Sequence, residues 1–306
     1  MSANPWRALD LDVLRRIDGL VPGDHEGSRL GLGSEREEVV RYQPGDDVRR
    51  IDWNITARST DLHVWRPRAD NQLDTWVLLD TTASMAFGTV TDEKRELAAK
   101  IVAAIGLLTD APGNRLGVAT FGADGVRWHR PDSSRLAAHR LTRELAGDDR
   151  RTGSAITLAA AIDEFGRRRH RQGLRIVVSD FFDPAGGFDP PYDWYRPLRR
   201  LAARHDVIAI EVVDPREMAL PDVGSVLLMD PESGRQRQIW TSNRTVRRRY
   251  EDAAAAYRAS VSAAIRSSGA EHLPVSTGRD WVRDLARFIA ARRRTMRRRS
   301  RGTRAR

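Results

Sequence analysis

Apolar residues in this chain follow two alternating patterns. Short, mostly apolar runs such as Trp76-Val77-Leu78-Leu79, "LRIVVS" (174–179) and "DVIAIEVV" (206–213), interrupted internally only by Arg175 and Glu211, show no alternating polar face. Runs of this kind predict strands covered on both sides, as in a parallel sheet. Between them lie longer stretches with apolar positions at helical spacing, over about 92–109, 133–146, 157–169, 192–204, 243–268 and 280–294. Further strands are expected at 115–121 with a hairpin partner at 125–130, and at 271–277. Residues 225–230 and 235–240 read as a second hairpin. Strands alternating with helices predict an α/β fold, a mostly parallel sheet with helices on both faces.

The first 75 residues read differently. Residues 8–20 have the spacing of a short amphipathic helix, and 22–36 are rich in Gly, Ser and charge. Residues 37–75 combine a Pro-Gly-Asp-Asp turn with short β-branched and aromatic runs, which predicts a small β-rich segment. The expected divisions are therefore 1–36, 37–75, an α/β domain over 76–291, and a remainder, 292–306.

That remainder changes the reading of the charge. The chain of 306 residues carries a formal net charge of +10. Nine of its arginines lie in 292–306, and the rest balances 43 basic against 42 acidic residues. The segment is expected to be a disordered, solvated tail, with weak attraction to nucleic acid or anionic membrane as its active alternative. The absence of cysteine excludes disulfides, thiolate metal sites and a cysteine nucleophile. With no leader-like segment and no run of eighteen apolar residues, the expectation is a cytoplasmic protein without a transmembrane segment.

Three buried runs end in aspartate: Asp80, Asp180 and Asp214. A helix cap or turn would explain any one of them. Asp80 stands apart because Thr82 and Ser84 follow at alternate positions, grouping a carboxylate and two hydroxyls on one short loop. Hard oxygen donors of this kind suit Mg²⁺ or Mn²⁺. Ligands of parallel α/β sheets also bind beyond the carboxyl ends of the strands.

The Asp80-x-Thr82-x-Ser84 pattern resembles the metal-ion-dependent adhesion site of von Willebrand factor A domains. That resemblance implies a Rossmann-like fold and two further site elements. Ser154, in "TGSAITLAAAI", stands at the family's threonine position, with Thr152 and Thr157 as nearby alternatives, and Asp180 stands at its second aspartate, with Phe181 where a glycine usually follows. The implied metal set is Asp80, Thr82, Ser84, Ser154 and Asp180.

A second resemblance is carried by residues 39–64. Arg41, Tyr42, Pro44-Gly45-Asp46-Asp47, Arg49, Ile51-Asp52-Trp53 and Thr56-Ala57-Arg58 are similar to the signature of the domain-of-unknown-function 58 family. That resemblance implies a MoxR-type AAA+ ATPase as partner. The density of opposite charges has two readings of its own: a salt-bridged segment locked by Trp53, or a docking surface made by Arg41, Asp46, Asp47, Arg49, Asp52, Trp53 and Arg58. Exposed ion pairs contribute little stability, which keeps the second reading open.

No Walker A, Gly-x-Ser-x-Gly or His-Glu-x-x-His motif occurs, and the seven histidines are scattered. The expectation is a non-enzymatic adaptor that binds protein through a divalent ion and works with the ATPase in a chaperone-like or assembly role. The alternatives are a metal-free scaffold docking through 39–64, or association led by the basic tail.

Overall fold

In the computed structural model, the described residues are 37–44, 47–59, 61–67, 74–89, 92–109, 114–133, 137, 140, 156–168, 173–182, 188–229 and 236–303. The helix expected at 8–20, most of that at 133–146, and the candidates Asp46 and Ser154 lie outside them.

The described residues open with β1 (Glu37–Arg41), paired antiparallel to β2 (His63–Pro67). Between them come a 3-10 turn (Val48–Arg50) and the single-turn helix α1 (Trp53–Thr56). Both starts are capped by signature aspartates: the Asp47 carboxylate accepts from Arg49 N–H, and Asp52 accepts from Asn54 and Ile55. Aspartate suits these positions because it takes up otherwise unpaired N–H groups.

The α/β domain follows as β3 (Asp74–Asp80), α2 (Lys94–Leu108), β4 (Arg115–Gly122), β5 (Gly125–Ser133), α3 (Leu158–Arg167), β6 (Leu174–Ser179) and α4 (Tyr195–Ala202). Next are β7 (Asp206–Val213), α5 (Pro215–Met218), the hairpin β8 (Ser225–Met229) and β9 (Gln236–Trp240), α6 (Arg244–Ser267), β10 (Glu271–Ser276) and α7 (Trp281–Thr303). The six-stranded sheet has the order β10-β7-β6-β3-β4-β5, all parallel except β5, which pairs antiparallel with β4. The α/β class with a mostly parallel sheet, expected from the run pattern, is the fold observed.

Strand β3 shows why its apolar run is unbroken. Val77 and Leu79 pack on one face with Leu97, Ile101 and Ile105 of α2 and Leu285 and Ile289 of α7. Trp76 and Leu78 pack on the other with Phe165 of α3, Leu198 of α4 and Val261 and Ile265 of α6. Alternate side chains of one strand thus feed two cores. The Trp76 ring lies over β4 where a Cβ on Gly117 would come within 2.4 Å of it, so that position admits no side chain without repacking.

One expectation is corrected. The basic segment does not begin as a disordered tail at Arg292, because α7 continues to Thr303. Val282, Leu285, Ala286 and Ile289 form its buried stripe, and Arg292 lies three residues further along the same face. Arg292 is itself buried and ion-paired with Asp206 at the start of β7 and Glu271 at the start of β10. Arginine is a good helix former, and neither Gly nor Pro interrupts the run before Gly302. Among the described residues, no helix is long and apolar enough to cross a membrane.

Candidate metal centre and its charged surroundings

Strand β3 lies between β4 and β6, so the chain winds outward in both directions from it. The carboxyl ends of β3 and β6 therefore flank the switch point, where open α/β sheets form their ligand crevice. Asp80 ends β3 and Asp180 directly follows β6.

The loop after β3 is tightly organised. Asp80 Oδ1 accepts from Thr82 N–H at 2.9 Å and from the Thr82 hydroxyl at 2.6 Å. Thr82 Oγ1 and Ser84 Oγ are 3.1 Å apart. Met85, fully buried, pins the following 3-10 turn (Ala83–Ala86) into the α2 core. From the neighbouring strand, the Ser179 hydroxyl donates to Asp80 Oδ2 at 2.6 Å. Ser179 is a site residue that the spacing within β3 could not report. Its only sequence signal is a hydroxyl closing a buried run beside an aspartate.

Asp180 is held differently. Its Oδ1 accepts from Phe182 N–H at 3.0 Å, and its Oδ2 receives Lys94 Nζ at 2.7 Å. Lys94, the first residue of α2, is fully buried and also meets Glu217 Oε1 at 2.5 Å. Arg258 of α6 donates to the Asp180 carbonyl at 2.8 Å and to Glu211 Oε1 at 3.1 Å, and its other Nη reaches Glu217 Oε2 at 3.4 Å. His272 Nε2 lies 2.8 Å from Glu211 Oε2.

Charges in this cluster do not balance. Four carboxylates, Asp80, Asp180, Glu211 and Glu217, share two permanent cations, Lys94 and Arg258. The shortfall falls on Asp80. Burial, followed by the Asp180 charge, pushes its pKa up to about 7, against the opposing hydrogen bonds from Ser179 and Thr82. Burial also works against ionised Asp180, but the Lys94 ammonium outweighs it and holds that carboxyl below the usual range. For Lys94 the carboxylates of Asp180 and Glu217 outweigh burial and raise its pKa.

Phe181 occupies the position where the adhesion-site pattern has glycine, and it adopts the backbone that glycine favours, with φ +53°. The ring is fully buried, edge-on to Trp194 with centroids 5.2 Å apart. The Ser179 hydroxyl oxygen accepts from Phe181 N–H at 3.0 Å. The third strand-end aspartate, Asp214, is a structural clamp. It caps α5 and accepts from the hydroxyls of Thr89 at 2.5 Å and Thr277 at 2.6 Å. Burial opposes its charge, and the Thr277 and Thr89 hydrogen bonds outweigh that, lowering its pKa.

The donor chemistry at Asp80 fits a small hard cation. Six oxygens around Mg²⁺ at about 2.1 Å stand about 3 Å apart along each edge. The Asp80, Thr82 and Ser84 oxygens, at 2.6 and 3.1 Å, are already grouped on that scale. Among the described residues, no three His, Asp or Glu side chains are grouped so that they could hold a metal ion.

The β1–β2 segment carries its own surface. Trp53 is 68% exposed, with Val48, Ile55 and Leu62 exposed as well. Trp53 therefore does not lock the segment. Arg41 pairs with Asp61 at 3.2 Å, both largely exposed, while Asp47 and Asp52 serve as caps.

Residues 38–260 match the profile of the family described as "Protein of unknown function DUF58". The chain belongs to the DUF58 family. A Mycobacterium tuberculosis relative, Rv1480, is 44% identical over 289 residues, which span 94% of this chain and 89% of that protein. Among solved structures, BatB of Bacteroides thetaiotaomicron is similar with a TM-score of 0.46 at 15% identity, covering 72% of this chain and 98% of that one. A von Willebrand factor type A structure from Catenulispora acidiphila gives 0.39 at 14% identity, covering 72% and 42%.

Proposed function

We propose that this DUF58 protein is a non-catalytic binding module that takes up a partner's carboxylate through a divalent ion at the end of β3. Asp80, Thr82 and Ser84 would hold Mg²⁺ or Mn²⁺, and Ser154 and Asp180 are the remaining candidate donors. When bound, the ion supplies Lewis acidity and a coordination position for an outside carboxylate. The observation that carries the reading is Asp80 itself. It is a buried carboxylate with hydroxyl oxygens grouped beside it, held by neutral hydroxyl and N–H donors.

The partner on this reading is a MoxR-type AAA+ ATPase, in a chaperone-like or assembly role. Copurification of the native chain with that ATPase, in Mg²⁺ and in EDTA, tests it. Recovery is expected in Mg²⁺, to be lost in EDTA and reduced for Ser84→Ala. Full recovery in EDTA and for Ser84→Ala would move the contact to residues 39–64. The exposure of Trp53, Arg49 and Arg58 favours that surface as the second reading.

A further inference from the structure

We propose that Lys94 is a built-in counter-cation that takes Asp180 out of the divalent-ion ligand set and sets how strongly the crevice binds an ion. The inference rests on the metal reading of Asp80 for its probe, but it makes a separate prediction about a different residue.

Burial comes first. The Lys94 side chain and the Asp180 carboxylate are each 1% exposed and meet at 2.7 Å. Neither group has solvent to compensate it, so each depends on the other. Lys94 also bridges to Glu217 at 2.5 Å, so one ammonium joins the loop after β6 to α5. A compact ammonium with its donors on two carboxylates stands where a second cation would have to compete for the same oxygens.

The arrangement then divides the crevice. On the Asp80 side, the carboxylate accepts from the Thr82 N–H and from the hydroxyls of Thr82 and Ser179, all of them neutral donors. On the Asp180 side, one oxygen is held by Lys94, the other by Phe182 N–H, and the carbonyl by Arg258. An ion entering at Asp80 thus gains one carboxylate rather than two. Ion affinity at oxygen sites follows the number of ligand charges. Lys94 therefore lowers affinity, while keeping the crevice formed without an ion.

Lys94→Met removes the charge and keeps the aliphatic stem. It should leave Asp180 without its ammonium and Glu217 with Arg258 alone, lowering thermal stability in EDTA. Mg²⁺ or Mn²⁺ should restore that stability, with calorimetric affinity at least about tenfold tighter than for the native chain. The Lys94→Met/Asp180→Asn pair should lose the gain, and a purely structural lysine predicts neither change. Lys94→Gln repeats the measurement with a neutral side chain that still hydrogen-bonds, in case Lys94→Met does not fold. In the native background, Asp180→Asn should shift ion affinity less than threefold.

The outcomes separate the two proposals. Native binding lost in Asp80→Ala but retained in Asp180→Asn, with a gain in the Lys94 variants, supports both. No native binding, with binding gained in Lys94→Met or Lys94→Gln, overturns the metal-dependent function and supports the lysine as the ion's replacement. Loss of native binding in Asp180→Asn, or no gain in either Lys94 variant, overturns the inference.

Discussion

The Tyr257 hydroxyl donates a 3.2 Å hydrogen bond to the carbonyl of Phe181, fixing the backbone one residue beyond Asp180. That backbone has φ +53°, a conformation costing a non-glycine residue about 1–3 kcal/mol. Burial of the ring offsets the strain. Two terms therefore compete in any substitution. Phe181→Ala keeps the strain and empties the ring's volume, an expected loss of about 3–5 kcal/mol. Phe181→Gly empties slightly more volume but relieves the strain, and should be about 1 kcal/mol less destabilised than Phe181→Ala. Urea denaturation of both variants checks the order. Greater stability for Phe181→Ala would show that position 181 is not strained.

Asp80 predicts a pH dependence. Its folded pKa of about 7 lies above the ordinary 3.8, so the folded state binds the proton more tightly than the unfolded chain does. The stability this contributes is fully present below pH 3.8 and is lost as pH rises towards about 7. Asp180, held below its ordinary value, acts in the opposite sense and in a lower window, losing its contribution as pH falls through its folded pKa. Between pH 4 and 7 the melting temperature should therefore carry a downward component that Asp80→Asn removes. Mg²⁺ should raise the melting temperature more at pH 8 than at pH 5. An equal shift at the two pH values would count against ion binding at this carboxylate.

What the sequence disclosed and what it hid follow from distance along the chain. The parallel sheet was legible because β3, β6 and β7 are buried on both faces and show it as nearly continuous apolar runs. Asp80, Thr82 and Ser84 were legible because they lie within five residues of one another. Ser179, Lys94, Glu217 and Arg258 come from four other parts of the chain, and spacing within one segment cannot report their meeting. Lys94 did leave a trace. A lysine opening a helix faces the unfavourable end of the helix dipole, so its charge calls for a partner elsewhere. Arg292 misled because an arginine run resembles a solvated tail, while its stem continues the apolar stripe of α7.

That arginine sets where the chain can be shortened. Arg292 is buried and its partners Asp206 and Glu271 are about 40% exposed, so part of their charge remains solvated. Arg292→Ala should cost about 2–3 kcal/mol, below the range for breaking a fully buried pair. Removing 294–306, which leaves Arg292 in place, should cost less than about 1 kcal/mol, since terminal helix turns are weakly held. Removing 292–306 should cost as much as Arg292→Ala or more. Thermal denaturation of the three proteins decides it. Equal stability for the two truncations would remove any structural role for Arg292.

The final prediction concerns Trp53. The ring is 68% exposed, so little apolar area returns to water when it is lost. Trp53→Ala should change stability by no more than about 0.5 kcal/mol, the range for surface positions away from special features. Asp52→Ala should cost about 1 kcal/mol, because the Asp52 carboxylate caps α1 by accepting from Asn54 and Ile55. Binding should order these variants the other way. Exposed tryptophan and arginine are the residue types that dominate protein interfaces, whereas a cap acts only through the backbone it holds. If residues 39–64 dock the ATPase, Trp53→Ala and Arg58→Ala should each lower its recovery at least tenfold, in EDTA as well as in Mg²⁺. Melting curves and copurification on the same preparations supply both readouts. A large stability loss for Trp53→Ala would restore the locking role, the other of the two readings the sequence left open. Unchanged stability together with unchanged recovery would remove this surface from the contact.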